Sequence, residues 1–140
     1  MAKSPIFDTS VFPDFADQID DLIESVLFPT VVLFELVACP IDSTVFKRYE
    51  RWRKTLSDIG SLLAPTVDDW WETSKAVRRL YMMKGTQPSK LKTLRNDALI
   101  ARLALIHAGF VVTHDVDDFE MIKKVMPDLQ VVPAREFFAA

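Results

Sequence analysis

The chain has 140 residues, of which 49% are hydrophobic and 26% charged, and its formal net charge is −3. That length is enough for one domain with a sizeable core, expected to span residues 1–140. The acidic balance argues against a generic polyanion binder, whose domain is usually basic, but leaves room for an enzyme whose catalytic carboxylates lower the count. A single cysteine, Cys39, excludes an internal disulfide framework and fits a reducing compartment. Lying in an apolar run, it reads as an inert buried thiol. Met1-Ala2-Lys3-Ser4 opens without the pattern of a secretory leader, and no apolar stretch approaches the ~20 residues of a membrane span. The expected location is the cytoplasm, with no membrane partner.

Periodicity predicts a first strand over residues 5–8. A helix follows over 14–26, with Phe15, Ile19, Leu22, Ile23 and Val26 on one face. A short strand near 27–30 leads into an apolar helix from about 31 to 39. Residues 43–62 read as a long helix striped by Val45, Tyr49, Trp52, Leu56 and Ile59. Val67 marks a brief strand before a helix over 68–84 carrying Trp70, Trp71, Val77, Leu80 and Tyr81. A helix over 89–108 ends at Gly109, Phe110–Thr113 is a buried strand, a helix spans about 117–125, and Leu129–Val132 is a last strand. Alternating short apolar strands and helices imply a parallel sheet covered on both faces. In such sheets, sites form outside the carboxyl ends of the strands.

Four acids stand against or inside apolar runs. Asp8 follows Pro5-Ile6-Phe7, and Glu35 is the one polar side chain in Val31–Cys39. Asp97 opens Ala98-Leu99-Ile100-Ala101, and Asp115 comes two residues after Phe110–Thr113. Each has an ordinary alternative. Asp8-Thr9-Ser10 reads equally as turn and capping chemistry. Asp97, after Arg95-Asn96, reads as a surface acid paired with arginine. Asp115, Asp117 and Asp118 read as capping acids of the next helix. Glu35 resists such an account, because its helix is apolar on every side. An isolated buried carboxylate costs several kcal/mol or gives up its charge, so four of them at the ends of core elements point to a shared cation. Hard oxygen donors of this kind suit Mg or Mn, and two such ions can activate water and stabilise a leaving phosphate oxygen.

The motifs resemble those of PIN-domain nucleases. Ile6-Phe7-Asp8-Thr9-Ser10-Val11-Phe12 looks like that family's opening motif, and Glu35-Leu36 like its second acid. Asp97-Ala98-Leu99-Ile100-Ala101 with Ala104 is similar to the third motif, and Val112-Thr113-His114-Asp115-Val116-Asp117-Asp118-Phe119 to the closing one. The resemblance runs from residue 5 to about 132, with order and spacing of all four motifs matching. It implies a three-layer α/β/α domain with a five-stranded, mostly parallel sheet, and a Mg- or Mn-dependent ribonuclease similar to VapC-type toxins of bacterial toxin–antitoxin pairs. Asp8, Glu35, Asp97 and Asp115 would be the metal cluster, with Asp118 a further or outer ligand. Thr9, Ser10 and Thr113 would orient carboxylates or water. Ser10 stands where the family commonly has Asn, and the tract 84–96 is more basic and polar than its lead-in to the third acid.

Lys84, Lys90, Lys92 and Arg95, just before Asp97, are candidates to line an RNA path, against the plainer reading of solvated helix faces. Trp70, Trp71 and Tyr81 suit base stacking or, more simply, core or interface packing. His107 is expected at a helix surface or end, and neither it nor His114 is needed as a ligand. Aromatic stripes over residues 43–84 suggest a homodimer, and the family suggests an antitoxin partner. Two other functions stay open: a catalytically silent PIN-like interaction module, and a structure-specific DNA nuclease. Haloacid-dehalogenase phosphatases fit less well because Ser10 stands where they place a second aspartate, and receiver domains fit no arrangement of these acids.

Overall fold

The computed structural model describes residues 3–83 and 85–139; the predicted RNA-path residue Lys84 lies outside them. β1 (Ser4–Phe7) is followed by a 3-10 turn (Thr9–Val11), α1 (Phe12–Leu22) and a second 3-10 turn (Ile23–Ser25). Next come β2 (Phe28–Pro29), α2 (Thr30–Val37), α3 (Ser43–Ile59), β3 (Leu62–Leu63) and α4 (Val67–Met82). The remainder is α5 (Pro88–Ile106), β4 (Gly109–Thr113), α6 (Val116–Lys123), β5 (Val131–Pro133) and α7 (Ala134–Phe137). The fold is a PIN-like α/β/α arrangement. No helix among the described residues is long and apolar enough to cross a membrane.

The expected five-stranded sheet is replaced by two smaller parallel ones, β1-β4-β5 and β2-β3. Among the described residues one hydrogen bond, Leu27 N–H to Pro5 O at 3.0 Å, joins them. The break has a local cause. Successive residues of a strand point their N–H groups to opposite sides. Leu27 N–H faces β1 and Phe28 N–H faces Ser61 of the β3 side, so position 29 would donate toward β1. That position is Pro29, and on β1 the side carrying Pro5 O also lacks its donor. Two prolines remove the N–H groups that would extend the ladder.

Three further expectations are corrected. Val67 is the exposed first residue of α4; the strand lies earlier, at Leu62–Leu63. Gly109 does not end α5. The left-handed residue there is Ala108 (φ 54°), and Gly109 already belongs to β4, where a Cβ would meet Ser4 O at 3.1 Å and Ile6 Cδ1 at 3.2 Å. Its smallness serves the approach of β1. Cys39 is exposed, because α2 stops at Val37, and its thiol donates to Leu36 O. On α4 the buried residues are Asp69, Thr73, Ala76 and Leu80, whereas Trp70, Trp71 and Tyr81 face outward. α7 was not foreseen; its Phe137 and the adjoining Phe138 pack on Phe7 with ring centroids 5.4 and 5.6 Å away, and Phe138 stacks on Phe15 at 4.3 Å.

The core joins Ile6 and Phe7 of β1, Val111 and Val112 of β4, and Ala98, Ile100, Ala101 and Ala104 of α5. Trp52 of α3 is buried against Phe12 and Phe28, and its indole N–H donates to Asp20 at 2.5 Å. β1 and β4 are direct parallel neighbours. Their carboxyl ends therefore share one edge, and that sets the place of the site.

Candidate metal centre

Asp8 follows the last residue of β1, and its N–H donates to Val112 O of β4 at 3.2 Å. The residue is 2% exposed. Oδ1 accepts from Ser10 N–H at 2.7 Å and from the Ser10 hydroxyl at 2.5 Å, while Oδ2 accepts from the Thr113 hydroxyl. Asp8 thus caps the 3-10 turn and is also fixed toward β4, so the capping reading is correct without being the whole account. Burial pushes its carboxyl up; the Ser10 and Thr113 hydrogen bonds pull it back, and the Asp115 charge adds to the rise.

Ser10 also accepts from His114 N–H at 3.2 Å, and Thr113 Oγ1 accepts from Asp115 N–H at 2.8 Å. These two hydroxyls tie the loops after β1 and β4 into one unit. Asp115 occupies the N-terminal cap position of α6 but makes no side-chain cap bond, and Asp117 and Asp118 lie in the first turn. The plain capping reading of Asp115 is therefore right in position, although its carboxylate caps nothing.

Glu35 comes from α2, where its Oε1 accepts from the Thr9 hydroxyl at 3.2 Å. Burial raises its carboxyl, Thr9 and Asn96 counter this, and Asp8 adds to the rise. Asn96 beside Glu35 was not foreseen; its only signal in the sequence was adjacency to Asp97.

Asp97, on α5, has no ion pair with Arg95 among the described residues. Its carboxyl is pushed up to about 7 by burial and then by the charges of Asp8, Asp118, Glu35 and Asp115. Each acid of the predicted set therefore acts on Asp97. Lys90 brings a cation to them: its Nζ lies 2.5 Å from Asp118 Oδ1. Its ammonium is held above the ordinary lysine range by that bond and charge, with Asp115 and Asp97 contributing. Lys92 and Arg95 are exposed. His114 stands apart from the acids, with its ring 5.8 Å from Phe15 and its Nε2 3.0 Å from Asp14 Oδ2, and His107 is the exposed cap of α5.

Among the described residues, no three His, Cys, Asp or Glu side chains form a ready-made metal-holding group. The acids face one another at coulombic range without closing into a cage. Their donors are all carboxylate oxygens, and Asp97 carries mutual repulsion, while Lys90 pairs with Asp118 at the rim. That chemistry and that unbalanced charge fit a hard divalent cation.

No family model and no curated protein matches the chain. Among solved structures, it is similar to a chain in a structure of FitAB bound to an IR36 DNA fragment. The TM-score is 0.62 at 16% identity, covering 93% of this chain and 94% of that one. At that identity the likeness concerns the fold.

Proposed function

We propose that this protein is a Mg- or Mn-dependent endoribonuclease and the toxin of a toxin–antitoxin pair. The observation that carries the reading is the meeting of acids at one edge: Asp8 after β1 is tied to Thr113 of the adjacent β4, Glu35 of α2 is held by Thr9 next to Asp8, and buried Asp97 feels the charges of Asp8, Glu35, Asp115 and Asp118. Asp8, Glu35, Asp97 and Asp115 would hold the ion, and Asp118 would join them on release from Lys90. Bound there, the metal supplies positive charge to activate water and to stabilise the phosphate in the transition state. Thr9, Ser10 and Thr113 hold the Glu35 and Asp8 carboxylates in place, and Lys90 stands where a phosphate backbone would approach. The partners we propose are RNA as substrate, a second copy of the chain, and an antitoxin whose basic tail would enter the acidic edge.

The absence of a closed ligand group among the described residues favours a second reading, a PIN-like interaction module without catalysis. Digestion of single-stranded RNA and DNA separates them, with EDTA and with added Mg or Mn, using the wild type and Asp97→Asn. DNA belongs in the assay because the FitAB structure holds it. The nuclease reading expects RNA cleavage that needs metal and falls at least ~100-fold in the variant, more than an outer-sphere change would give. Cleavage that persists in EDTA or in Asp97→Asn removes these acids as the catalytic centre. No cleavage under any condition leaves the interaction module.

A further inference from the structure

The outward face of α4 leaves part of the aromatic stripe of residues 43–84 exposed. Trp70, Ser74, Val77, Arg78 and Tyr81 recur at helical spacing along one side of it. With Arg95 and Asn96 of α5 they border a groove of about 740 Å³. Trp70 is 55% and Tyr81 41% exposed. Arg78 and Arg95 are exposed and make no ion pair among the described residues. In the groove wall, Thr73 is buried and its Oγ1 has no hydrogen-bond partner among the described residues. Among those residues no carboxylate lines the groove, although the chain as a whole is acidic. Asn96, one of the residues that line the groove, lies beside Glu35 and next to Asp97 in the chain.

Exposed rings and unpaired guanidinium groups along one track match the two halves of a single-stranded polynucleotide. Bases stack on the rings, and phosphates meet the cations. A second copy of the chain fits less well. A two-fold contact places the same patch on itself, so Arg78 and Arg95 would face like charge with no described carboxylate on the patch to answer them. We propose that the α4–α5 groove is a docking track for single-stranded RNA, with bases on Trp70 and Tyr81, phosphates on Arg78 and Arg95, and an exit past Asn96 to the acids. The direction of travel rests on the ribonuclease reading; binding in the groove does not.

The test is fluorescence anisotropy of a labelled single-stranded RNA of about 12 nucleotides, in EDTA, beside its blunt duplex. The wild type should prefer the single strand. Trp70→Ala and Tyr81→Ala should each weaken single-strand binding about tenfold. Arg78→Gln with Arg95→Gln should flatten the slope of log affinity against log salt by about 1.4, ~0.7 for each phosphate deprived of its guanidinium. Ser74→Glu, which adds a carboxylate on an exposed position, should weaken binding without touching a ring or a guanidinium. Circular dichroism melts check that each variant folds. Equal binding of duplex and single strand overturns the proposal, as does unchanged affinity and salt slope in the variants. Unchanged RNA binding together with a shift from dimer to monomer in sedimentation makes the groove a copy–copy interface instead. Groove-dependent binding by a protein that cleaves no RNA in Mg would keep the track and remove the nuclease; cleavage with groove-independent binding would do the reverse.

Discussion

Two buried aspartates on packed neighbouring helices behave in opposite ways. Asp69 of α4 is 4% exposed. Burial alone would raise its carboxyl, but the Thr66 backbone and hydroxyl and the Arg102 guanidinium outweigh that and hold it below the ordinary range. The Thr66 N–H reaches it at 2.9 Å, completing a capping box with the Asp69 N–H on Thr66 Oγ1, and Arg102 Nε reaches it at 3.0 Å. Asp97 of α5 sits far above the ordinary range, because burial raises its carboxyl and neighbouring carboxylates raise it further, with nothing in the chain opposing them. Burial of an acid therefore does not mark a site. What marks it is burial without compensation supplied by the chain.

The sharpest way to break this comparison is to neutralise each acid in turn. Asp69→Asn should destabilise the protein by about 2–3 kcal/mol, since it leaves the Arg102 guanidinium without its charged partner. The lowered carboxyl of Asp69 contributes stability above its unfolded pKa and loses it as pH falls through the folded value. Urea melts at neutral and acidic pH check both statements. A neutral outcome would mean that Asp69 is no better compensated than Asp97.

Adding the missing compensation from outside comes next in size. Mg or Mn at 100 times its dissociation constant should stabilise the native state by ~2.7 kcal/mol, as any ligand of the folded form does. The gain should vanish in Asp97→Asn and persist in an Arg95→Gln control. Thermal melts across a metal titration measure it without reference to activity.

Asp97→Asn in metal-free protein should stabilise by about 1–2 kcal/mol, because it removes a charge that the fold repels. The pH dependence carries the same sign. A carboxyl raised from 3.8 to about 7 leaves the native state binding more protons than the unfolded chain between those values. Wild-type stability in EDTA should then fall as pH rises from about 4 to about 7, and flatten beyond. The Asn variant should lose that part of the slope. A wild-type profile that rises through this window would remove the claim of mutual repulsion.

The edge that carries the acids was legible in the sequence because its signal is local. An apolar run ending in Asp places a carboxylate at a strand end whichever strand is its neighbour, and β1 and β4 proved adjacent. Glu35 was legible for the same reason: no polar residue near it in sequence could answer its charge. The split of the sheet was not, because it depends on which side Pro5 and Pro29 turn their missing donors. Incomplete burial of the aromatic stripes over 43–84 was legible, but the inward turn of Asp69 and Thr73 on α4 was hidden. Hydrophobicity ranks Trp70 and Trp71 above Asp69 and Thr73, but Arg102, 33 residues from Asp69, makes burial of that acid tolerable and turns the helix accordingly. The Lys90–Asp118 pair likewise joins residues distant in sequence, so a predicted backbone contact also stands against the acid cluster. What stayed hidden in each case was a pairing of distant residues or a direction in space, and composition carries neither.

The smallest effect concerns the support of Glu35. Thr9 reaches its Oε1 at 3.2 Å from the turn that also carries Ser10. Thr9→Val keeps the shape and removes the donor. The loss of one hydrogen bond to a half-buried carboxylate should lower stability by ~1 kcal/mol. Without that bond the Glu35 carboxyl rises further, since burial and the Asp8 charge are then opposed by Asn96 alone. A carboxylate that holds its proton more tightly and points less firmly should bind Mg or Mn about tenfold more weakly. Calorimetric metal titration at two pH values separates the causes. Lost orientation weakens binding equally at both, whereas a raised carboxyl weakens it more at the lower pH. Unchanged metal affinity in Thr9→Val would place Glu35 outside the cation's ligand set and leave the centre to Asp8, Asp97 and Asp115.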